Sequence, residues 1–265
     1  MAEDLSSRSF TPLFSLFQKA LSFSPLHFLN PKPTMSNSPH PSTGGGKIPG
    51  LQAKEPPELI LFDFDGTVAD TLEVSHGILN DLAVEFRFRP LPREELDLAR
   101  AMGTREFIRH LGISNWRVPR IAKRGLQLLH ERIESVNPIA GMPEVLSELH
   151  GRGHRIGILT SNSESNVSSF LSRHNLPYFH FIRTSSKLFG KGRQMKKILK
   201  EEKTSPSATL YVGDETRDIE AAKETGLRMA AVAWGYNSTE TLQALDPDHL
   251  IHTPSELLLL GGSAS

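Results

Sequence analysis

The sequence predicts an α/β fold: a doubly wound, Rossmann-like parallel sheet with an inserted helical cap subdomain. Three observations predict it. Apolar runs of strand length recur along the chain, with helical patterns between most of them. Glycine-containing turns, Gly151-Arg152-Gly153 and Gly226, stand where helical patterns end. The interval 71–139 contains only helical patterns and is too long for one crossover, which indicates an insertion after the first strand.

Six apolar runs are predicted as strands, because a short continuous apolar segment is typical of a strand buried on both faces. They are Leu59–Phe62, Arg155–Thr160, Phe179–Arg183, Thr209–Val212, Met229–Trp234 and His249–His252. Core helices are expected to begin near Pro143 and Asp218. Within the insertion, helical spacing of apolar residues predicts helices near Leu72–Phe86, Arg93–Met102, Thr104–Leu111 and Val118–Ser135.

The chain is expected to divide into a core, a cap and two terminal extensions. The core comprises residues 54–70 and 140–260, the helical cap 71–139, and a frayed tail 261–265. Residues 1–53 are rich in Ser, Pro and Gly, which predicts a disordered or targeting extension, since they bury too little surface to offset their ordering entropy. We expect a cytoplasmic protein, because acidic residues precede a broken apolar stretch, unlike a secretory signal. Organelle import through residues 1–53 is the alternative.

The amino-acid composition excludes several kinds of functional site and partner. The 265 residues include no cysteine, which excludes a disulfide framework, a zinc-thiolate or iron-sulfur site and a cysteine nucleophile. The 30 Lys and Arg balance 30 Asp and Glu, so no concentrated positive charge favours a nucleic acid or a membrane surface as partner. We therefore expect a small-molecule substrate. The sequence leaves open whether the protein is a monomer or a homodimer.

Polar residues follow the predicted strands where ligands bind in open parallel sheets. Asp63-Phe64-Asp65-Gly66-Thr67 follows the first strand, Thr160-Ser161-Asn162 ends the second, Gly213-Asp214-Glu215-Thr216-Arg217-Asp218 follows the fourth, and Lys191 lies in a predicted loop between Gly190 and Gly192. Carboxylates that meet at one sheet edge suit a hard divalent cation, with Mg²⁺ the obvious candidate. A lysine, a threonine hydroxyl and the amides of a glycine-containing turn suit phosphoryl oxygens. The combination predicts phosphoryl transfer.

The segments DFDGT, TSN, GK and GDETRD, in this order, resemble the signatures of the haloacid dehalogenase-like superfamily of phosphohydrolases. The resemblance extends from about Pro57 to Leu260, includes the helical cap, and is greatest to the phosphoglycolate-phosphatase-like branch. It implies a magnesium-dependent phosphatase that hydrolyses a small phosphorylated metabolite, phosphoglycolate-like or a sugar phosphate, through an aspartyl-phosphate intermediate. It also implies a cap that closes over the site.

The resemblance implies a role for each matching residue. Asp63 would be the nucleophile, and Asp65 would protonate the leaving group and then activate water. The metal group would be Asp63, Asp65 through its backbone carbonyl, Asp214, and Asp218 one helical turn further on. The phosphate-binding group would be Gly66, Thr67, Thr160, Ser161, Asn162 and Lys191. In the cap, Arg105 could hold a second anionic group of the substrate.

Some site assignments stay open at this stage. Ser161 competes with the adjacent Thr160, and Lys187 competes with Lys191, although Gly190 favours the latter. Asp218 could only cap its helix, where a negative charge near the N-terminus is favourable.

The remaining expectations concern secondary features and competing functions. The eleven histidines show no metal-ligand spacing, and His154 is expected at the surface. The segment Trp234–Asn237 is expected to be a structural turn at the rim of the site. A phosphomutase of the same superfamily and a catalytically silent binding protein on this fold are the two alternative functions.

Overall fold

A six-stranded parallel sheet forms the centre of the fold. Its strands are β1 (Leu59–Phe62), β2 (Arg155–Thr160), β3 (Phe181–Thr184), β4 (Thr209–Gly213), β5 (Arg228–Val232) and β6 (His249–Ile251). They lie in the order β3-β2-β1-β4-β5-β6, and each neighbouring pair is parallel. The winding direction therefore reverses between β1 and β4, where open sheets of this kind bind ligands. The predicted α/β fold class is confirmed.

The structure, a computed structural model, describes residues 56–102, 104–185 and 190–261, without the side chains of residues 104, 105, 126 and 130. The expected extension 1–53, Lys187 and all but the first residue of the expected tail lie outside the described residues.

Four α-helices and three short 3₁₀ turns are described between positions 71 and 139. The helices are α1 (Thr71–Phe86), α2 (Leu96–Ala101), α3 (Thr104–His110) and α4 (Val118–Arg132). They enclose a hydrophobic cluster of their own, drawn from positions 78–129, in which Phe107, Leu111 and Leu129 are buried. A second packed cluster separate from the sheet is what a cap subdomain requires, since each domain needs its own core.

The remaining helices cover the two faces of the sheet. They are α5 (Met142–Gly151), α6 (Glu164–Arg173), α7 (Lys191–Glu202), α8 (Thr216–Thr225), α9 (Thr239–Gln243) and α10 (Leu257–Leu260). Side chains of β1 alternate between the faces: Ile60 and Phe62 join the cluster with α5 and α6, whereas Leu59 and Leu61 join the cluster with α7 and α8. Burial on both faces explains the uninterrupted apolar run of this strand. Among the described helices none has the length and apolar character needed to cross a bilayer.

Two predicted strand boundaries differ from the structure by two residues. The strand predicted over Phe179–Arg183 begins two residues later, because Phe179 packs edge-to-face on Phe62, with ring centroids 6.2 Å apart, before the chain enters the sheet. The strand predicted over Met229–Trp234 ends at Val232, and the indole of Trp234 donates to the carbonyl of Thr67 at 3.2 Å. Side-chain packing of aromatic residues therefore sets these ends, and periodicity alone does not reveal it.

Two further expectations are wrong in detail. Lys191 was expected in a loop, but it is the first residue of α7, with Gly190 at the N-cap. His154 was expected at the surface, but it is 7% exposed, and its ring nitrogens lie 2.7 Å and 2.8 Å from the carbonyl oxygens of Pro57 and Gly261. This histidine joins the segment before β1 to the segment after α10.

Candidate active site

Asp63 stands immediately beyond β1, and its carboxylate is held from two sides. Oδ1 accepts from the backbone N–H of Phe64 at 2.8 Å, and Oδ2 accepts from the ammonium of Lys191 at 2.7 Å. The backbone N–H of Asp63 still donates to Val212 of β4 at 2.8 Å, so the residue is fixed to the sheet. Its side chain is 3% exposed. The carboxylate is thus a preorganised, buried anion beside a fixed cation.

Asp65 lies two residues further on and faces β2. The side-chain amide of Asn162 donates to both of its carboxyl oxygens at 3.1 Å. Burial, and then the negative charge of Asp63, raises the pKa of Asp65 well above its ordinary value, and the hydrogen bond from Asn162 opposes this rise. The surroundings of Asp65 therefore favour its protonated form, which is the form that a general acid uses.

Asp214 follows β4 and accepts hydrogen bonds on both oxygens. The hydroxyl of Thr67 donates to Oδ1 at 2.8 Å, and the backbone N–H of Tyr236 donates to Oδ2 at 2.7 Å. Gly66 and Gly235 crowd the same carboxylate: a Cβ at these positions would lie 2.5 Å and 2.1 Å from Oδ2. The turn after β1 and the loop after β5 thus form a cradle around this side chain, with no space for a Cβ at either glycine.

Asp218 and Lys191 form a buried pair beside Asp63. The lysine ammonium contacts Oδ1 of Asp218, and Oδ2 of Asp218 accepts from the backbone N–H of Glu215 at 3.2 Å. Asp218 therefore caps the start of α8 and also pairs with Lys191, so capping is not its only contact. A lysine at the first position of a helix is disfavoured by the helix dipole. The two carboxylates offset that cost and keep the ammonium in the site.

Burial and the neighbouring charges shift the pKa values of Lys191, Asp214 and Asp218. Burial alone would lower the pKa of Lys191, but the carboxylates of Asp218 and Asp63 outweigh burial and hold it above its ordinary value. Burial and the carboxylates of Glu215 and Asp63 raise the pKa of Asp214 well above its ordinary value. Burial also raises the pKa of Asp218 to about 6, although Lys191 opposes this shift. The protein's own cations do not neutralise the cluster.

The acidic cluster fits a divalent cation. One carboxylate oxygen from each of Asp63, Asp214 and Asp218 lies within 4.8 Å of the others. The site contains five buried acidic side chains and two basic ones, an excess of three acidic groups. The acidic side chains are Asp63, Asp65, Asp214, Glu215 and Asp218, and the basic ones are Lys191 and Arg217. Oxygen ligands and net negative charge are what Mg²⁺ prefers in proteins. Of the predicted metal group, the structure brings these three carboxylates together, while the carboxyl group of Asp65 faces Asn162.

The predicted phosphate-binding residues differ in whether their donor groups are already bonded to the protein. Thr160 is fully buried at the end of β2, and its hydroxyl accepts from the backbone N–H of Asn162 at 3.0 Å, which leaves the hydroxyl proton for a further acceptor. Ser161 beside it is half-buried. The N–H groups of Gly66 and Thr67 donate to Ala69 and Phe64 inside the turn, at 2.9 Å and 3.3 Å. Those two amides therefore have protein acceptors, which speaks against their predicted contact with phosphate.

Several supporting residues were missed by sequence reasoning. Tyr236 and Gly235 belong to the segment predicted as a structural turn, yet they contact the carboxylate of Asp214. Glu215 is buried and accepts from Arg217 at 2.6 Å. No spacing in the sequence signals contacts between β4 and the loop after β5, because they depend on how two neighbouring strands end.

The helical insertion contacts this loop at two points. The hydroxyl of Tyr236 lies 2.9 Å from the hydroxyl of Ser75 and donates to that of Thr71 at 3.1 Å, both on α1. Arg100 of α2 donates to the carbonyls of Ala233 and Asn237 at 2.7 Å and 3.2 Å. The loop 233–237 thus joins the insertion to the cradle of Asp214. The side chain of Arg105, proposed from the sequence as a substrate contact, lies outside the described side chains.

The sequence is similar to a known family of hydrolases and to phosphatases within it. A family model for haloacid dehalogenase-like hydrolases matches residues 60–232. The chain is 36% identical over 202 residues to a phosphoglycolate phosphatase of Synechococcus elongatus, covering 76% of this chain and 95% of the relative. It is 27% identical over 208 residues to the pyrophosphatase PpaX of Bacillus velezensis, covering 77% of this chain and 95% of the relative.

Solved structures share the fold. A haloacid dehalogenase-like family protein of Streptococcus pneumoniae superposes with a TM-score of 0.63 at 20% identity, covering 76% of this chain and 96% of that chain. A protein described as a predicted phosphoglycolate phosphatase of Haemophilus somnus gives a TM-score of 0.64 at 17% identity, with 78% and 98% coverage. At this level of identity the likeness shows the fold alone.

Proposed function

Because the chain belongs to the haloacid dehalogenase-like hydrolase family, in the phosphoglycolate-phosphatase-like branch, we propose that it hydrolyses a small phosphorylated metabolite. The chain is a phosphatase, and the proposal concerns its substrate, its metal and the role of each residue. Phosphoglycolate is the first candidate substrate, since a relative of that name is 36% identical over 202 residues. Sugar phosphates are the second.

The observation that carries the proposal is the buried contact of Asp63 with Lys191 beside the carboxylates of Asp214 and Asp218. A carboxylate attacks phosphorus only when its negative charge is compensated and the phosphoryl group is held in line. The ammonium 2.7 Å from Asp63 supplies part of that compensation, and it can also contact the phosphoryl oxygens. A purely structural ion pair would not require two further acidic side chains at the same buried point.

In the proposed reaction, an oxygen of Asp63 forms a bond to phosphorus as the bond from phosphorus to the leaving oxygen breaks. Asp65 gives its proton to that leaving oxygen, which departs as an alcohol. Asp65, now a carboxylate, then takes a proton from water, and the water oxygen forms a bond to phosphorus as the bond from phosphorus to the Asp63 oxygen breaks. The products are the alcohol and inorganic phosphate, and both aspartates return to their starting state.

Magnesium fits the acidic cluster on the chemistry of its donors. Asp63, Asp214 and Asp218 are the residues proposed to hold it, because their carboxylate oxygens converge and exceed the nearby basic charge. When bound, Mg²⁺ supplies positive charge next to the phosphoryl oxygens. Thr67 and the backbone N–H of Tyr236 orient Asp214 for this task, and the backbone N–H of Glu215 orients Asp218.

We assign residues 71–139 to a cap and residues 54–70 and 140–260 to the catalytic core. The assignment is supported by the separate hydrophobic cluster of the insertion and by its hydrogen bonds to the loop 233–237. A cap of this kind excludes bulk water from the reacting groups when it closes.

The experiment that tests the proposal is phosphate release from a panel of phosphoesters, with and without magnesium. The panel includes phosphoglycolate, sugar phosphates, nucleoside monophosphates and inorganic pyrophosphate. We expect magnesium-dependent release that Asp63→Asn lowers by about 10³-fold or more, because the nucleophile is lost while the fold is kept. Asp81→Asn is the matched control: Asp81 is an exposed aspartate that pairs with Arg132 within the insertion.

Two outcomes would contradict the proposal. Absence of release from every phosphoester, with a folded protein that binds magnesium, would favour a silent binding protein. Isomerisation of a sugar phosphate without release of phosphate would favour a phosphomutase.

A further inference from the structure

We propose that Asn162 is a positioning residue for Asp65 and not a phosphate ligand. The proposal rests on the proposed function, in which Asp65 transfers the proton. Both side chains are buried, Asn162 at 0% and Asp65 at 4% exposure, and they come from the ends of two neighbouring strands, β2 and β1. The amide nitrogen of Asn162 donates to both carboxyl oxygens of Asp65 at 3.1 Å.

The orientation of the Asn162 amide is fixed by its other end. Its Oδ1 accepts from the backbone N–H of Ser163 at 2.8 Å and from the side-chain amide of Asn166 at 3.0 Å. A backbone N–H can only donate, so the atom that faces it must be the oxygen. The nitrogen therefore faces Asp65, and flipping the amide would place two acceptors against each other and two donors against each other.

The local sequence explains why this orientation is rigid. Ser163 is the N-cap of α6, and its hydroxyl accepts from the backbone N–H of Asn166 at 3.2 Å. The backbone N–H of Asn162 in turn donates to Thr160 at 3.0 Å. Hydrogen bonds thus join Thr160, Asn162, Ser163 and Asn166 in the turn from β2 into α6, and within it the side-chain amide of Asn162 is aimed at Asp65.

The effect of the Asn162 amide on catalysis depends on which leaving group the substrate carries. Two hydrogen bonds from one amide hold the plane of the Asp65 carboxyl group, so its proton is delivered in a constant direction. An alkoxide leaves only when it is protonated, whereas nitrophenolate leaves without a proton. Loss of the positioning amide must therefore slow cleavage of alkyl phosphates far more than cleavage of p-nitrophenyl phosphate. Loss of a phosphate ligand would slow both equally.

The test compares kcat/KM for the best alkyl phosphate of the panel with kcat/KM for p-nitrophenyl phosphate. For Asn162→Asp, which keeps the shape but loses the donor, and for Asn162→Ala, we expect a fall of about 30-fold or more on the alkyl phosphate. On p-nitrophenyl phosphate we expect kcat/KM to fall by less than about threefold. We also expect a burst of nitrophenolate at the start of the reaction, because hydrolysis of the aspartyl-phosphate by water still needs Asp65 and becomes slow.

A second variant and a control keep the test sharp if Asn162 variants fold poorly. Asn166→Asp removes the side-chain donor that holds the oxygen of Asn162, and Asn166 itself does not contact Asp65. We expect kcat/KM on the alkyl phosphate to fall by about threefold to tenfold, with little change on p-nitrophenyl phosphate. Asn80→Asp is the control, because the Asn80 amide is similarly engaged, with the backbone of Leu91 at 2.8 Å and 3.0 Å, but within the insertion. It must show no dependence on the leaving group.

Equal losses on both substrates would overturn the proposal and return Asn162 to the phosphate-binding group. Wild-type kinetics on both substrates for folded Asn162→Asp would overturn it as well. Failure of the underlying function is distinguishable, because then the wild-type protein itself cleaves neither substrate.

Discussion

Substitution of Gly235 by alanine should weaken metal binding without unfolding the protein. Gly235 lies in the loop after β5, and a Cβ built on it falls 2.1 Å from Oδ2 of Asp214 and 2.3 Å from Cβ and Cγ of the same side chain. Non-bonded carbon and oxygen atoms do not approach closer than about 3 Å. Either the carboxylate or the loop must therefore move by about 1 Å.

A displacement of this size exceeds what the proposed site can absorb. Magnesium requires near-ideal geometry, and ligand distances in metal sites hold to within about 0.2 Å. The same shift strains the hydrogen bonds that Asp214 accepts from Thr67 and Tyr236, at 2.8 Å and 2.7 Å. We expect the dissociation constant for Mg²⁺ to rise about 10-fold to 100-fold. The overpacking itself should lower the free energy of unfolding by about 1–3 kcal/mol.

The assay is a magnesium titration by calorimetry, together with phosphate release at increasing magnesium concentration. Gly77→Ala is the matched control, because Gly77 lies inside α1 and a Cβ there meets nothing within 4 Å. That variant should bind magnesium like the wild type and gain up to about 1 kcal/mol of stability from helix propensity. If folded Gly235→Ala bound magnesium as tightly as Gly77→Ala, Asp214 would not be a metal ligand and the reasoning would fail.

Two further predictions concern contacts that hold the fold around the site. Arg100→Met removes the hydrogen bonds from α2 to two carbonyls of the loop 233–237, so the free energy of unfolding should fall by about 1–3 kcal/mol in urea titrations. His154→Phe removes a ring donor from the buried carbonyls of Pro57 and Gly261, so stability should fall by about 1–3 kcal/mol while the kcat of the remaining folded protein is unchanged.

The control for Arg100→Met is an arginine with a different contact. Arg93→Met breaks an exposed ion pair with Glu73 inside the insertion, and it should cost no more than about 1 kcal/mol. A wild-type unfolding midpoint for Arg100→Met would show that its hydrogen bonds do not join the insertion to the loop. A large fall in kcat for His154→Phe would show that this histidine acts on the site.

The sheet could be predicted because burial on both faces leaves a simple pattern. The run Leu59–Phe62 coincides with β1, since every side chain in it enters one of two hydrophobic clusters. Strand ends were predicted less well where an aromatic side chain turns away, as Trp234 does toward Thr67. The start of α7 at Lys191 was missed because a lysine there is disfavoured locally and becomes favourable only with Asp63 and Asp218 present.

The acidic residues of the candidate site were predicted from the strand ends on which they lie, and their partners were not. Asp63, Asp214 and Asp218 converge because parallel strands end at the same edge of the sheet. The residues that orient them, such as Tyr236 and Gly235, act through a backbone N–H and a missing side chain. Neither feature has a sequence signature. Thr67 was predicted to contact phosphate, and only the folded chain shows its hydroxyl bound to Asp214.

The most direct test of the central claim is to identify the residue that becomes phosphorylated during turnover. The wild-type protein, with magnesium and its best substrate, is quenched in acid within the first turnovers, and its peptides are analysed by mass spectrometry. The proposed mechanism predicts a phosphoryl group on Asp63 that is absent from Asp63→Asn and lost when substrate is exhausted. Turnover without any phosphorylated peptide, or with the phosphoryl group on another residue, would contradict it.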